Sequence, residues 1–223
     1  MTGYESWADI VNLFSMLAEG AVVSFQIFVL TLIFALPLGL PVALGRMSKT
    51  RWISTPIKWY ITIMRGTPLL LQLIFVYFAP GYLPDPYRIN LDRFVAAVIA
   101  FVLNYTAYFA EIYRGGIMSI PQGQYEAAEV LGFTKSQTFF RIVLPQVFKR
   151  ILPPMSNEVI TLVKDTALVQ ILGVSELLRI AKNESNRIFS TVPLFAAGLF
   201  YLSLTYTIER MLHWLEKKLD YYR

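Results

Sequence analysis

The sequence predicts an all-α membrane protein with five transmembrane helices. Of its 223 residues, 56% are hydrophobic and 16% are charged, whereas ordinary soluble domains contain about 25% charged residues. A soluble domain of this length needs more charge to cover its surface, so the excess apolar surface is expected to face lipid. The apolar residues also form long stretches, and about 20 apolar residues suffice for a helix to cross the hydrocarbon core.

The predicted spans are the long stretches that contain few charges. They cover about residues 20–45, 60–83, 94–113, 151–175 and 188–209. The first contains no charged residue, and membrane helices tolerate prolines such as Pro37 and Pro41 when neighbouring groups satisfy the freed carbonyls. No repeat or linker divides the chain, so residues 1–223 are predicted to form one transmembrane domain with a cytoplasmic loop at about 115–150.

The distribution of Lys and Arg predicts the orientation of these spans. Fourteen of these residues lie in 46–65, 111–150 and the tail from residue 209, and five lie in the segments on the opposite side. Because cytoplasmic loops carry the excess of positive charge, the N-terminus is expected outside and the C-terminus in the cytoplasm. Acidic residues precede the first span, where a signal peptide carries basic ones, so no signal peptide is expected.

Composition limits the classes of function. The net charge of +5 and the pI near 9.4 are compatible with a nucleic-acid partner. The basic residues cluster beside apolar runs, however, which favours a basic cytoplasmic rim and no nucleic acid. The chain has no cysteine and a single histidine, His213, so neither a disulfide framework nor a metal site is expected.

The cytoplasmic loop contains a polar two-helix element at residues 125–145, with the sequence YEAAEVLGFTKSQTFFRIVLP. Gly132 suits the position just beyond the end of the first helix. Thr134 and Gln137 form a predicted capping box for the second helix, and Pro145 is expected to kink or end it. The second helix has an apolar side that is expected to pack on the membrane bundle, formed by Phe139, Phe140, Val143, Val147 and Phe148.

Three interpretations of this element are open. The glycine turn and the following helix resemble a DNA-binding helix-turn-helix, but the second helix offers apolar side chains instead of those that read a major groove. Alternatively, the first helix is presented to a cytoplasmic protein, since Ala127 and Ala128 leave a low surface and Glu126 offers an acid near the helix N-terminus. The third interpretation is a plain connector.

The fourth span carries a polar stripe. Its members recur at helical spacings and therefore share one side of a helix; they are Asn157, Glu158, Thr161, Lys164 and Asp165. A charge at the bilayer centre costs at least about 2.5–3.5 kcal/mol, so these groups are expected to face a bundle interior or water. The stripe predicts a translocation path, and a structural polar network is the alternative. Lys164 is also able to extend to the outer head groups.

The second span contains the dipeptide Thr67-Pro68. Proline lacks a backbone N–H and clashes with the preceding turn, so the helix is expected to break here and to expose backbone carbonyls. Broken helices of this kind occur at solute sites in transporters. An ordinary kink is the alternative.

Several segments carry a resemblance to a known family. The residue types and spacing of the EAA motif are matched by Glu126, Ala127, Ala128, Gly132, Ile142, Leu144 and Pro145. On these residues the chain resembles the permease subunits of bacterial ATP-binding-cassette (ABC) importers. Similarity to the polar amino-acid uptake branch lies in RGTPLLLQ at 65–72, NYTAYFAEIYRGGI at 104–117 and LPPMSNEVITLVKDTALVQILG at 152–173. The resemblance covers about residues 15–220 and is weakest in the loop 80–93.

The resemblance implies a type I ABC-importer permease fold and a function in uptake of a polar amino acid. Two permease chains, identical or different, pair in the lipid of the bacterial plasma membrane, and an extracytoplasmic binding protein delivers the solute. Two ATPase subunits bind ATP and Mg²⁺. A coupling helix, here containing Glu126, Ala127, Ala128 and Gly132, sits in a cleft of the ATPase and drives alternating access.

The resemblance also implies that this chain binds no cofactor and performs no covalent chemistry. Consistently, the sequence contains no GxxxxGK[ST] phosphate-binding loop. The residues expected to line the solute path are Asn157, Glu158, Thr161, Lys164, Asp165, Thr67 and Pro68. One rival is a proton-coupled secondary transporter that uses Glu158 or Asp165 as a proton carrier. Another is a non-transporting membrane scaffold or receptor that recruits the ATPase, and the EAA spacing weighs against both.

Overall fold

Nine α-helices make up most of residues 6–219, the part of the chain that this computed structural model describes. The helices are α1 Trp7–Arg46, α2 Arg51–Gly66, α3 Leu69–Phe78, α4 Arg93–Met118, α5 Gln122–Val130, α6 Lys135–Gln137, α7 Leu144–Asp165, α8 Leu177–Ile188 and α9 Val192–Leu219. Short 3₁₀ segments follow α3 and α7, at Ala79–Tyr82 and Thr166–Leu172. A π-helical segment, Thr138–Val143, joins α6 to α7. The described residues contain no strand, which confirms the all-α prediction.

Three of the described helices, α1, α4 and α9, are long and apolar enough to cross a membrane. A fourth span is counted if α2 and α3 form one broken span. The predicted span 151–175 is not one α-helix, because α7 ends at Asp165 and continues as a 3₁₀ helix to Leu172. Helix length and composition therefore support three or four of the five predicted spans, and the orientation stays a prediction.

Helix α1 begins well before the predicted first span. Ser6 caps it: the Ser6 Oγ accepts a hydrogen bond from the Asp9 N–H at 3.2 Å, and the Ser6 N–H donates to Asp9 Oδ2 at 3.1 Å. The helix continues through Pro37 and Pro41 to Arg46. Its 40 residues correspond to about 60 Å, twice the thickness of the hydrocarbon core, so part of α1 extends beyond that core.

Helix α4 lies at the centre of the bundle and packs against α1, α2, α3 and α7. Small residues let these helices approach closely, and the fully buried alanines of α1 and α4 are Ala35, Ala43, Ala96, Ala97, Ala107 and Ala110. Two tyrosine hydroxyls fasten the neighbours: Tyr113 of α4 donates to the Leu36 carbonyl at 3.1 Å, and Tyr60 of α2 donates to the Leu103 carbonyl at 2.5 Å. Helix α4 is therefore joined to both α1 and α2 by a side-chain hydrogen bond.

Helix α8 was not predicted, because its cap is a glutamate and the usual N-cap residues are Ser, Thr, Asp and Asn. The Glu176 carboxylate accepts hydrogen bonds from the N–H groups of Leu178 at 2.7 Å and Arg179 at 2.6 Å. The Tyr201 hydroxyl of α9 donates to the same carboxylate at 3.0 Å. Glu176 is completely buried, and these three donors satisfy its carboxylate, which fixes the start of α8 against α9.

Candidate functional site

The predicted break at Thr67-Pro68 is confirmed. Helix α2 ends at Gly66, α3 begins at Leu69, and the two helices meet at a bend of 111°. Thr67 has φ −121° and ψ 148°, the extended conformation that a following proline imposes. Both residues of the dipeptide are exposed.

Two side-chain amides, Gln72 and Asn104, form an amide clamp around this break. Gln72 Nε2 donates to the Met64 carbonyl at 2.9 Å and to the Thr67 hydroxyl oxygen at 2.8 Å. Asn104 Nδ2 of α4 donates to the same Met64 carbonyl at 3.0 Å and to Gln72 Oε1 at 2.9 Å. The Met64 carbonyl freed by the break is therefore occupied within the chain, and the bend is rigidly attached to α4.

Asp165, the last residue of α7, faces α4. The buried Tyr105 hydroxyl donates to Asp165 Oδ2 at 2.8 Å. Leaving a buried hydroxyl without a hydrogen-bond partner costs about 1–3 kcal/mol of stability. The Tyr105 hydroxyl therefore favours the position of the Asp165 carboxylate that keeps this hydrogen bond. Asp165 itself is only half-buried, which leaves part of its carboxylate accessible.

Arg65 lies at the end of α2 beside the same face of α4. Its guanidinium carbon is 5.2 Å from the centre of the Tyr108 ring, and its Nη1 is 3.9 Å from Glu111 Oε2. Glu158 of α7 is half-buried and lies two helical turns before Asp165, on the same side of that helix. The site therefore combines one cation with two carboxylates, and we call it the interior polar face: Arg65, Tyr105, Tyr108, Glu158 and Asp165.

Sequence reasoning missed three members of the interior polar face: Arg65, Tyr105 and Tyr108. The two tyrosines are three residues apart on one helix, and Arg65 directly precedes the helix-breaking segment. That periodicity was a usable signal for the tyrosines. No local signal places Arg65 beside α4, because its position depends on the packing of α2 against α4.

The remaining stripe residues have exposed side chains. Asn157 lines a different cavity of about 380 Å³ between α7 and α9. Thr161 is exposed, and its hydroxyl donates to the Asn157 carbonyl at 2.9 Å. Lys164 is also exposed. Glu158 and Asp165 are thus the half-buried members of the stripe, whereas Asn157, Thr161 and Lys164 are exposed.

The predicted coupling helix is α5, and its surface differs from the expected one. Ala127, Glu126 and Gly132 are exposed, but Ala128 is 1% exposed and packs inward. The interpretation that both alanines form the low outer surface is therefore wrong for Ala128. Two large apolar side chains at the end of this element are instead exposed, Val130 at 87% and Leu131 at 73%. Gly132 has φ +76°, a conformation that glycine adopts without steric cost.

The second loop helix begins as predicted but does not end at its proline. Thr134 and Gln137 form the expected capping box. The helix then passes through the π-helical segment into α7 and continues beyond Pro145. A π-helical turn shifts the backbone hydrogen bonds by one residue, and it accommodates the proline here. Of the predicted apolar side, Val143 and Val147 are buried, Phe139 is partly buried, and Phe140 and Phe148 are exposed.

Comparison with known proteins identifies the family of this chain. The family model described as "Binding-protein-dependent transport system inner membrane component" matches residues 35–221. The chain belongs to this family. Among its relatives, the L-cystine transport system permease protein TcyB of Bacillus subtilis is 38% identical over 213 residues, which cover 93% of this chain and 88% of that protein. The arginine transport system permease protein ArtQ of Bacillus subtilis is 38% identical over 205 residues, 90% of this chain and 91% of that protein.

Solved structures with the same fold support this membership. A crystal structure of an amino acid ABC transporter with histidines contains a chain that is 30% identical, with a TM-score of 0.87 over 96% of this chain and 99% of that one. An inward-facing MetNI methionine ABC transporter shares the fold at 17% identity, with a TM-score of 0.71 and coverage of 96% and 99%. The chain thus has the all-helical type I ABC-importer permease fold.

Proposed function

We propose that this chain is the permease subunit of an ATP-driven importer that moves a polar amino acid across the bacterial plasma membrane by alternating access. The family match supports a role in binding-protein-dependent transport. The names of its relatives, which refer to transport of L-cystine, arginine and octopine, support an amino acid as the solute. The observation that carries the proposal is the interior polar face, where the Tyr105 hydroxyl donates to the Asp165 carboxylate and Arg65 lies over the neighbouring Tyr108 ring.

The charges of that face suit a zwitterion. An amino acid presents an ammonium group and a carboxylate, and both need a partner of opposite charge once they leave water. Glu158 and Asp165 would contact the ammonium or a cationic side chain, and the guanidinium of Arg65 would bind the carboxylate with two hydrogen bonds. Thr67 and Pro68 lie next to Arg65 in the chain and would line the same path. Asn157, Thr161 and Lys164 would contact the solute in another state of the transport cycle.

The remaining parts of the proposal concern partners. Two permease chains would pair in the membrane, two ATPase subunits would bind ATP and Mg²⁺, and an extracytoplasmic binding protein would deliver the solute. The exposed surface of α5 and the following turn, with Glu126, Ala127, Val130, Leu131 and Gly132, would dock on the ATPase. The buried side chain of Ala128 would pack against the rest of the chain and so keep α5 in position. The chain itself would bind no cofactor and catalyse no covalent reaction.

The test is purification of the chain with its bound ATPase, followed by reconstitution in liposomes with the binding protein. A panel of polar amino acids would be assayed for uptake and for stimulation of ATP hydrolysis. We expect one or a few of these amino acids to be accumulated, and only when ATP is supplied on the side of the membrane that carries the ATPase subunits. Uptake that persists without the ATPase and collapses with the proton gradient would instead identify a proton-coupled carrier. Stable ATPase recruitment without any solute flux would identify a scaffold.

A further inference from the structure

A second charged cavity lies beside the solute path, between the end of α1, one face of α2 and the end of α4. Its volume is about 200 Å³. Four cationic side chains line it, together with a single carboxylate; they are Arg46, Lys58, Arg65, Arg114 and Glu111. Lys58 and Arg65 are seven residues apart on α2, two helical turns, so both project from the same side of that helix.

The single carboxylate is already engaged. Arg114 donates to both oxygens of Glu111, with its Nη2 at 2.7 Å from Oε2 and its Nε at 3.0 Å from Oε1. Arg65 lies 3.9 Å from the same carboxylate. Within residues 6–219, Arg46 and Lys58 form neither a hydrogen bond nor an ion pair through their side chains. Arg65 also belongs to the interior polar face, but the other three cations and Glu111 alone leave a formal excess of two positive charges, which repel one another unless an anion enters.

The position of the cavity matches the edge of a membrane. Arg46 ends the apolar helix α1, and α2 exposes Trp52 at 91% and Trp59 at 61%. Tryptophan is enriched at the level of the lipid head groups, and basic residues are enriched on the cytoplasmic side. A cavity that opens at this level is within reach of the phosphate group of a lipid.

We propose that this cavity binds the phosphate group of an anionic phospholipid in the cytoplasmic leaflet. Guanidinium groups bind phosphate oxygens in pairs of parallel hydrogen bonds, and lysine adds a compact positive charge. The exposed tryptophans of α2 would lie along the glycerol and the upper part of the acyl chains. Arg65 is the one lining residue that the cavity shares with the interior polar face; Arg46, Lys58 and Arg114 are not assigned to the solute path.

The test is lipid binding by the full permease–ATPase complex in a neutral detergent. Short-chain phosphatidylglycerol, short-chain phosphatidylcholine and inorganic phosphate would each be titrated, with thermal stability and native mass spectrometry as readouts. We expect saturable binding of phosphatidylglycerol, which the double variant Arg46→Gln/Lys58→Gln weakens at least tenfold. Neither residue belongs to the proposed solute path, so uptake by this variant in phosphatidylcholine liposomes should match that of the unmodified complex.

The matched control removes the same charge from the same edge of the membrane but outside the cavity. Lys49→Gln/Arg51→Gln should leave the affinity for phosphatidylglycerol within about twofold, because only general surface attraction is reduced. Equal losses in both double variants, or no loss in either, would overturn the site. Inorganic phosphate that binds as tightly as phosphatidylglycerol would show that the ligand is a soluble anion and not a lipid. A cavity closed by another subunit would retain no lipid, which also contradicts the proposal.

Discussion

Both the interior polar face and the α5 surface depart from the usual pattern of apolar side chains inside and polar side chains outside. The first has charged groups in the interior, and the second has apolar groups on the surface. The interior polar face places Glu158 and Asp165 within an apolar bundle, whereas the α5 surface exposes Val130 and Leu131 in a polar loop. Buried charges are costly without partners, and large exposed apolar side chains mark contact surfaces. Each region thus departs from the expected pattern at the place where a partner is proposed.

The two regions differ in how far contacts within the chain offset the unfavourable free energy of a buried charge or of an exposed apolar side chain. Asp165 already accepts a hydrogen bond from Tyr105, and Arg65 lies near the Tyr108 ring and the Glu111 carboxylate of α4. Val130 and Leu131 have no such compensation, since most of their surface remains in water. A small solute that comes and goes suits the first region. The second region suits a protein partner that covers it for long periods.

The largest effect is expected from placing a charge on the α5 surface. Leu131→Asp replaces an exposed apolar anchor with a group that is costly to desolvate in an interface, and such anchors contribute about 2–4 kcal/mol to binding. We expect a loss of about 30- to 1000-fold in affinity for the ATPase. The measurement is the amount of ATPase retained when the permease is purified from membranes.

The matched control is Leu131→Met, which keeps the apolar volume and should retain the ATPase. Folding of the Leu131→Asp chain is monitored by its yield and thermal stability in detergent. If the Leu131→Asp chain folds and still retains the ATPase with normal affinity, the docking surface lies elsewhere. The exposed apolar side chains of the α5 surface would then not mark a partner site.

A smaller effect is expected in the interior. Asp165→Asn removes the negative charge but keeps an oxygen that can accept from the Tyr105 hydroxyl. A hydrogen bond to a charged group contributes about 1.5–3 kcal/mol, so the apparent affinity for solute should fall about 10- to 100-fold. The measurement is the dependence of uptake and of ATP hydrolysis on solute concentration.

Tyr105→Phe is the informative companion of Asp165→Asn, because it deletes the hydrogen bond and preserves the carboxylate charge. It should lower thermal stability more than it lowers solute affinity. Identical behaviour of the two variants, with reduced stability and unchanged uptake kinetics, would assign Asp165 to a structural network. The interior polar face would then have a structural role and no role in solute binding, unlike the α5 surface with its proposed partner.

The features that the sequence predicts well are those set by neighbouring residues. The break at Thr67-Pro68 follows from the missing N–H of proline, and the capping box of Thr134 and Gln137 follows from two side chains three residues apart. The motif residues likewise identify the family. Local chemistry fixes each of these features without reference to the rest of the fold.

The features that could not be predicted depend on which helix covers which side. Helical periodicity placed Asn157 and Asp165 on one stripe, but α9 approaches the first and α4 approaches the second. A small residue such as Ala128 suits both a surface that a partner approaches and a tightly packed interior position, so its residue type does not show which of the two it faces. Arg65 reaches the site because α2 packs on α4. Such relations between distant segments leave no signal in a short window of a single sequence.

The smallest effect concerns the junction between the two regions. Gly116, near the end of α4, lies so close to α7 that an added Cβ would overlap the Ile151 Cγ2. Nearby, the Arg150 side chain of α7 donates to the Ser119 carbonyl just beyond α4, so a second contact joins the two helices at this junction. Gly116→Ala should overpack it at a cost of about 1–3 kcal/mol, reduced by the roughly 0.5–1 kcal/mol that alanine gains in a helix.

The adjacent Gly115 provides the matched control, because an added Cβ there meets no atom within 4 Å. Gly115→Ala should be neutral or slightly stabilising in a thermal unfolding measurement, whereas Gly116→Ala should unfold at a lower temperature. If the junction transmits motion, Gly116→Ala should also lower the number of solute molecules moved per ATP hydrolysed, while Gly115→Ala should not. Equal stability and equal coupling in the two variants would mean that α4 and α7 separate freely here, and that the α5 surface reaches the interior polar face by another route.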